Sequence, residues 1–117
     1  MDYLPGTHII ASLQSASKEL LFIHQEFRDQ VNRLIHQYDL QKLGEVYHDF
    51  SPGGFTAVIC LSESHISIHT WPEHNLVNLD IYLSNFKRNN DGTVDYIYKS
   101  LITFFQATVS KEQIIAR

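Results

Sequence analysis

The most constraining feature of this sequence is a stretch in which apolar residues recur every three or four positions. Between Leu20 and Tyr38 this spacing lines one side of a helix with apolar side chains, while the charged residues fall mostly elsewhere. Most of the stability of such a helix comes from packing its apolar side against another layer of structure. The rest of the chain must therefore supply a surface that covers this helix.

The remainder of the sequence predicts mostly strands. Ser15 and Ser17, which precede the helix, are candidate N-caps. A second one-sided helix is predicted from Val94 to Phe105, after the turn-forming residues 89–92. Six stretches have the pattern of strands: residues 8–13, 45–50, 55–61, 65–70, 76–83 and 108–114.

The predicted order of elements is β-α-β-β-β-β-α-β, which indicates the α+β class. Because two helices accompany about six strands, we expect a two-layer α/β sandwich with both helices packed on one face of a mainly antiparallel sheet. A chain of 117 residues is long enough for one hydrophobic core. We therefore expect a single domain that spans residues 1–117.

Charge and composition exclude several classes of function. Nine basic and thirteen acidic residues give a formal net charge of −4, and neither sign forms a block, so a nucleic-acid or anionic-membrane partner is not expected. No apolar run approaches the roughly 20 residues of a membrane helix, and residues 1–6 have no leader pattern. The single cysteine, Cys60, fits a reducing compartment, so we expect a cytoplasmic protein.

Residues 61–73 are unusually polar for the middle of a sheet. In a strand, Ile66 and Ile68 alternate with His65, Ser67 and His69. The isoleucines are therefore predicted to enter the core, and the two histidines and the serine to share the opposite face. That face must meet either solvent or partner groups.

A metal site built from His65, His69 and His74 is one interpretation of this segment. Residues four apart on a strand are separated by about 13 Å, whereas zinc holds its imidazole nitrogens about 2 Å away, so His65 and His69 cannot easily share an ion. No metal is therefore predicted, and partly exposed histidines with ordinary hydrogen bonds remain the simpler interpretation.

Nucleophilic chemistry at Ser64 is the other interpretation. The G-x-S-x-G motif is absent and no carboxylate is evidently placed to orient a histidine base, so a hydrolase triad is poorly supported. If a tight turn strains the Glu63–Ser64 peptide, however, the Ser64 hydroxyl can attack the carbonyl of Glu63. The amide then becomes an ester, which β-elimination breaks, and the new N-terminus becomes a pyruvoyl group.

The segment Ser-Glu-Ser-His at 62–65, followed by Ile-His-Thr-Trp-Pro-Glu at 68–73, resembles the self-cleaving segment of the bacterial and archaeal S-adenosylmethionine decarboxylases. Weaker similarity extends over residues 6–8, the first helix, the turn at 50–54 and Asp80. The resemblance implies a proenzyme that cuts itself into a β chain, residues 1–63, and an α chain, residues 64–117.

The resemblance also implies roles in self-cleavage. Ser64 would become the covalent pyruvoyl cofactor, and Glu63 would become the end of the β chain. His69 is expected to move the proton in the elimination step. Thr56 lies where relatives carry a hydroxyl residue that stabilises the processing intermediate.

For the substrate, the resemblance implies a wall formed by Phe50 and Trp71, whose aromatic faces suit an adenine ring or a sulfonium cation. Glu73 is expected to bind the ribose hydroxyls. A pyruvoyl carbonyl forms a Schiff base with the substrate amine and accepts the electrons released as carbon dioxide leaves. The product in the family is the aminopropyl donor for spermidine synthesis, and the protomers pair as homodimers.

Two positions depart from the family pattern. Ser84 stands where relatives commonly have a cysteine, the proposed proton donor to the α-carbon, and Ser12 stands where they often have an acidic residue. A hydroxyl is a poorer acid than a thiol. Ser84 would therefore relay a proton from water, or leave the task to Tyr82 or a histidine.

These departures leave two alternatives open. The first is a pyruvoyl-dependent ornithine or arginine decarboxylase of the same family, in which carboxylates would bind the distal cation; Glu45, Asp49 and Asp80 are candidates. The second is a non-catalytic homologue that acts as a subunit or binding module. The intact Ser64 and His69 favour an enzyme.

Overall fold

A computed structural model of the chain describes residues 3–117 and confirms the predicted order of elements. Met1 and Asp2, the start of the stretch in which no leader is predicted, lie outside the described residues. Two short 3₁₀ helices, Lys18–Leu21 and Pro72–His74, accompany the main elements. The strands and helices are β1 (Thr7–Ser15), α1 (Gln25–Gln37), β2 (Lys42–Asp49), β3 (Phe55–Leu61), β4 (Ser64–Trp71), β5 (Leu76–Leu83), α2 (Asp91–Phe104) and β6 (Ala107–Ala116).

The strands form one six-stranded sheet in the order β2-β3-β4-β5-β1-β6. Every neighbouring pair is antiparallel. Strand β1 does not lie beside β2, the next strand in the sequence, but between β5 and β6. Strand β4 is paired on both sides, so the position of each of its side chains is set by two ladders of hydrogen bonds.

Both helices cover one face of this sheet, as predicted, and the core lies between the two layers. The ring of Phe27 on α1 lies 5.6 Å from that of Phe55 on β3 and 6.1 Å from that of Phe105 at the end of α2. All three side chains are fully buried. Within residues 3–117, neither helix has the length and hydrophobicity to cross a membrane.

The start of the first helix differs from the sequence prediction. The chain forms the 3₁₀ helix first and begins α1 only at Gln25. The Ser15 hydroxyl donates to the carbonyl of Phe105 instead of capping a helix, and Ser17 makes no side-chain capping bond. Ser17 therefore occupies the N-cap position of the 3₁₀ helix without a capping bond, and the N-cap of α1 is His24. Ser15 caps neither helix, because its hydroxyl is taken by a tertiary partner that local sequence does not reveal.

Thr70 fastens the 3₁₀ helix to the sheet. Its buried hydroxyl accepts a hydrogen bond from the Phe55 N–H and donates one to the carbonyl of Leu21, both at 2.8 Å. The adjoining turn depends on Gly54, which has φ of +103° and donates its N–H to the carbonyl of Phe22. Only glycine adopts this backbone conformation without strain.

Replacing Thr70 with valine is expected to lower the free energy of unfolding by about 1–3 kcal/mol, because a buried donor and acceptor lose their partner while the side-chain shape is kept. Urea denaturation measures the change. The matched control is Thr108→Val, since Thr108 is an exposed strand residue and its replacement should change little. Equal stability of the two variants would contradict the role assigned to Thr70.

Candidate active site

The sheet face opposite the helices, here called the open face, carries the polar residues of β4. Ile66 and Ile68 are fully buried on the helix side, as predicted. The alternation of the strand places His65, Ser67 and His69 on the open face. The next strand, β5, sets Tyr82, Asp80 and Asn78 directly opposite these three residues.

Ser64 begins β4 in a strained backbone conformation. Its φ is +130°, in a region that residues with a side chain rarely adopt. A conformation of this kind costs on the order of 1–3 kcal/mol and persists only where the surroundings hold it in place. The strain is located at the peptide that joins Glu63 to Ser64, the bond expected to break.

The carbonyl of Glu63 is held by a backbone donor from the neighbouring strand. The Ser84 N–H donates to this oxygen at 2.8 Å. A donor in this position polarises the carbonyl and can stabilise the negative charge that develops when a nucleophile adds to it. Only the side chain of Ser84 could be singled out from the sequence, because a backbone donor leaves no signature there.

The side chain of Glu63 is clamped by two residues from beyond β5. Arg88 donates to both carboxylate oxygens, from Nε at 3.1 Å and Nη2 at 2.9 Å, and Asn90 Nδ2 donates at 3.0 Å. Burial opposes ionisation of this carboxylate, but the bonds from Arg88 and Asn90 outweigh it and lower the pKa of Glu63. We call these three residues the Glu63 clamp.

The Glu63 clamp could not be predicted from the sequence. Asn90 lies in the stretch interpreted only as a turn, and Arg88 looks like any surface cation. Arg88 also donates to the backbone carbonyl of Asp39, so it ties the loop after α1 to the turn at Glu63. The only available signal was an arginine and an asparagine close together in a loop, which is too common to be informative.

A second cluster lies beside Ser64 on the open face. The Ser64 hydroxyl is 3.2 Å from His65 Nδ1, and His65 Nε2 is 3.3 Å from Asp80 Oδ1. His8 Nε2 is bonded to the same carboxylate oxygen, and Arg117 donates to His8 Nδ1 at 3.2 Å. We call Ser64, His65, Asp80 and His8 the His65 cluster.

The His65 cluster has the donor types of a metal site, but a different set from the one weighed in the sequence. Candidate ligand atoms of His8, His65 and Asp80 lie within 4.8 Å of one another. A metal ion at this position would replace the hydrogen bonds to Asp80 and would stand close to the Arg117 guanidinium. These contacts favour a hydrogen-bonded network over a cation site.

The remaining predicted residues meet at the other end of β4. Phe50, Thr56, His69, Trp71 and Glu73 line one cavity of about 390 Å³. Thr56 faces His69 across the β3–β4 ladder, and its hydroxyl lies 2.9 Å from the imidazole Nδ1. The two aromatic side chains are about half exposed and leave the cavity open to solvent. We call this set the aromatic pocket.

Within one chain, the structure does not bring the aromatic pocket to Ser64. His69 follows Ser64 by five residues on the same strand, which corresponds to about 16 Å at a rise of about 3.3 Å per residue. Glu63, Ser64 and Ser84 lie together at the start of β4, whereas Thr56 and His69 lie near its end. This distance is too large for a direct proton transfer between His69 and Ser64 of the same chain.

The carboxylates considered for a basic amino-acid substrate do not converge. Glu45 binds Arg28 and Lys42, and Asp49 binds His24. Asp80 belongs to the His65 cluster. Within one chain, these three carboxylates therefore do not form the site expected for ornithine or arginine.

Comparison with known proteins gives a consistent set of similarities. Residues 7–114 match the family model described as S-adenosylmethionine decarboxylase. The chain is 46% identical over 77 residues to an S-adenosylmethionine decarboxylase proenzyme of Archaeoglobus fulgidus, covering 66% of this chain and 69% of that protein. It is 38% identical over 101 residues to the proenzyme of Picrophilus torridus, covering 86% and 78%. The crystal structure of the adenosylmethionine decarboxylase from Aquifex aeolicus superposes with a TM-score of 0.85 at 28% identity, covering 99% of this chain and 92% of that one.

We expect the Glu63 clamp to stabilise the folded chain. Its contribution to the free energy of unfolding is best measured in a Ser64→Ala background, so that the chain stays in one piece. Replacing Arg88 with alanine is expected to cost about 1–3 kcal/mol in urea denaturation, because the buried carboxylate loses its main partner. Arg33→Ala, at an exposed position on α1, is the matched control and should change little.

The stability difference between the Ser64→Ala parent and its Arg88→Ala variant is expected to depend on pH. Because the clamp lowers the pKa of Glu63 below its ordinary 4.5, its stabilisation is present above that pH and is lost as the pH falls through the lowered value. The stability difference between the parent and Arg88→Ala should therefore shrink on acidification. A difference that stays constant down to strong acid would contradict the ionic role of Glu63.

Proposed function

Because the chain belongs to the S-adenosylmethionine decarboxylase family, we propose that it cuts itself between Glu63 and Ser64 and then decarboxylates S-adenosylmethionine through a pyruvoyl group derived from Ser64. Family membership confirms the prediction of a decarboxylase proenzyme. It does not favour an ornithine or arginine decarboxylase, or a non-catalytic homologue.

The observation that carries this proposal is the state of the Glu63–Ser64 peptide. A strained backbone, a carbonyl polarised by the Ser84 N–H and a hydroxyl bonded to an imidazole meet at one bond. These are the requirements for an attack of the Ser64 hydroxyl on the preceding carbonyl. The residues present therefore fit a pyruvoyl group formed at position 64, which would supply an electrophilic carbonyl that accepts electrons as carbon dioxide leaves.

The substrate assignment is supported by the aromatic pocket. Phe50 and Trp71 present exposed aromatic faces, which suit an adenine ring and a sulfonium cation. Glu73 lines the same cavity and is proposed to bind the ribose hydroxyls. Thr56 and His69, hydrogen-bonded to each other, lie where they can handle a proton beside the bound molecule.

Ser84 is proposed to pass a proton from water to the α-carbon of the substrate. Its backbone N–H is engaged with Glu63, and its carbonyl accepts a bond from Asn90, so its main chain is fixed beside the cut. A hydroxyl is far less acidic than the thiol that relatives commonly carry here, so water has to supply the proton.

A homodimer is proposed because one chain separates the aromatic pocket from Ser64. The open face exposes the apolar side chains of Ile10, Val46 and Val58, which are 40%, 69% and 44% accessible. A second copy laid across this face covers them and can bring its His69 and aromatic pocket to the Ser64 of the first copy. A cytoplasmic location is also proposed, since the free Cys60 thiol is exposed and fits a reducing compartment.

Purified wild-type protein is expected to contain two chains, residues 1–63 and 64–117, with a ketone at the new N-terminus, when denatured and analysed by mass spectrometry. It should release carbon dioxide from S-adenosylmethionine and not from ornithine or arginine. Ser64→Ala should remain one chain and release none. An uncleaved wild-type chain after prolonged incubation would refute self-cleavage, and release from ornithine alone would refute the substrate.

The dimer makes a separate prediction. A tagged His69→Ala chain should be cut when it is co-expressed with a Ser64→Ala chain, because the mixed dimer pairs an intact Ser64 with an intact His69. Expressed alone, neither chain should complete the cut. If the tagged chain stays uncut in a verified mixed dimer, His69 does not act across the interface.

A further inference from the structure

We propose that His65, oriented by Asp80, is the general base that removes the proton from the Ser64 hydroxyl in the first step of self-cleavage. This inference rests on the proposed self-cleavage at Ser64 and adds the group that starts it. His69 keeps the later elimination step. The first step needs a base beside the Ser64 hydroxyl, and His69 lies about 16 Å along the strand from the serine of its own chain.

The positions of the hydrogens follow from the donors and acceptors of the His65 cluster. A carboxylate oxygen only accepts, so the bond at 3.3 Å to Asp80 places the hydrogen of neutral His65 on Nε2. His65 Nδ1 is then the acceptor, and the Ser64 hydroxyl donates to it at 3.2 Å. This is the tautomer a base must have to take the serine proton, and the separation is within reach for proton transfer.

His8 and Arg117 strengthen the same arrangement. A guanidinium only donates, so Arg117 makes His8 Nδ1 an acceptor, and the buried His8 donates from Nε2 to Asp80 Oδ1. Asp80 is therefore fixed by His8 on one side and orients His65 on the other. Asp80 is a positioning residue, whereas His65 contacts the reacting hydroxyl.

The step balances without any further reactant. As Ser64 Oγ bonds to the Glu63 carbonyl carbon, its proton passes to His65 Nδ1, and the oxyanion formed at Glu63 is held by the Ser84 N–H. The carbon–nitrogen bond then breaks, and the imidazolium returns the proton to the Ser64 nitrogen. An ester between Glu63 and Ser64 Oγ results, while Asp80 stays ionised and stabilises the transient imidazolium.

The test measures self-cleavage of freshly purified precursor in the absence of substrate, so that any effect on substrate binding is irrelevant. Hydroxylamine distinguishes the two steps, because it cleaves an ester and releases a chain that begins with serine. His65→Ala is expected to cleave about a hundredfold more slowly or worse, to resist hydroxylamine and to regain cleavage when imidazole is added. His69→Ala should instead accumulate an ester that hydroxylamine cleaves.

Asp80→Asn tests whether Asp80 sets the tautomer of His65, because the substitution keeps the shape of the side chain and changes only its hydrogen bonding. An asparagine NH₂ can donate to His65 Nε2, which shifts the hydrogen to Nδ1 and abolishes the acceptor for Ser64. This variant should also cleave about a hundredfold more slowly, without a hydroxylamine-sensitive ester. His36→Ala, an exposed histidine on α1, is the control and should cleave as the wild type does.

Three results would overturn the proposal: wild-type cleavage by His65→Ala, a hydroxylamine-sensitive ester in His65→Ala or Asp80→Asn, or loss of wild-type cleavage on treatment with a metal chelator. If His65→Ala does not fold, His65→Gln replaces it, because glutamine keeps hydrogen-bonding capacity but is not a base. A wild-type chain that never cleaves would instead refute the proposed function on which this inference rests.

Discussion

The double pairing of β4 is the constraint on which the rest of the site depends. Because β3 and β5 hold this strand on both sides, none of its residues can slip without moving every side chain to the wrong face. The buried Ile66 and Ile68 fix which face meets the helices. Once that is fixed, the strand must display its histidines on the open face, and Ser64 stands at its start.

The same pairing places the proposed functional residues in two groups, one at each end of β4. At the start of β4, the Ser84 N–H extends the ladder by one bond and reaches the Glu63 carbonyl. Near the end, Thr56 stands opposite His69. A regular strand cannot bring its two ends together, so the distance between the two groups is set by the fold and not by any one side chain.

Periodicity and residue type were enough to predict the architecture and the faces. The alternation around Ile66 and Ile68, the apolar side of α1 and the turn before β3 are local patterns, and each is confirmed by the structure. The partners of Glu63 and His65 could not be predicted in this way. Arg88 follows Glu63 by 25 positions and Asp80 follows His65 by 15, so both contacts depend on how strands and loops meet. No carboxylate that could orient a histidine base was evident in the sequence. In the structure this carboxylate is Asp80, which lies on the neighbouring strand β5.

The strand order decides what would happen to the two pieces after the proposed cut at Ser64. The first piece contains β1, β2 and β3, and the second contains β4, β5 and β6. Because β1 lies between β5 and β6, while β3 lies against β4, the pieces are interleaved across the sheet. Separating them requires breaking the ladders of β1 with β5, of β1 with β6 and of β3 with β4, together with the shared core. A severed backbone therefore remains one folded body, held by the sheet without any covalent link between its halves.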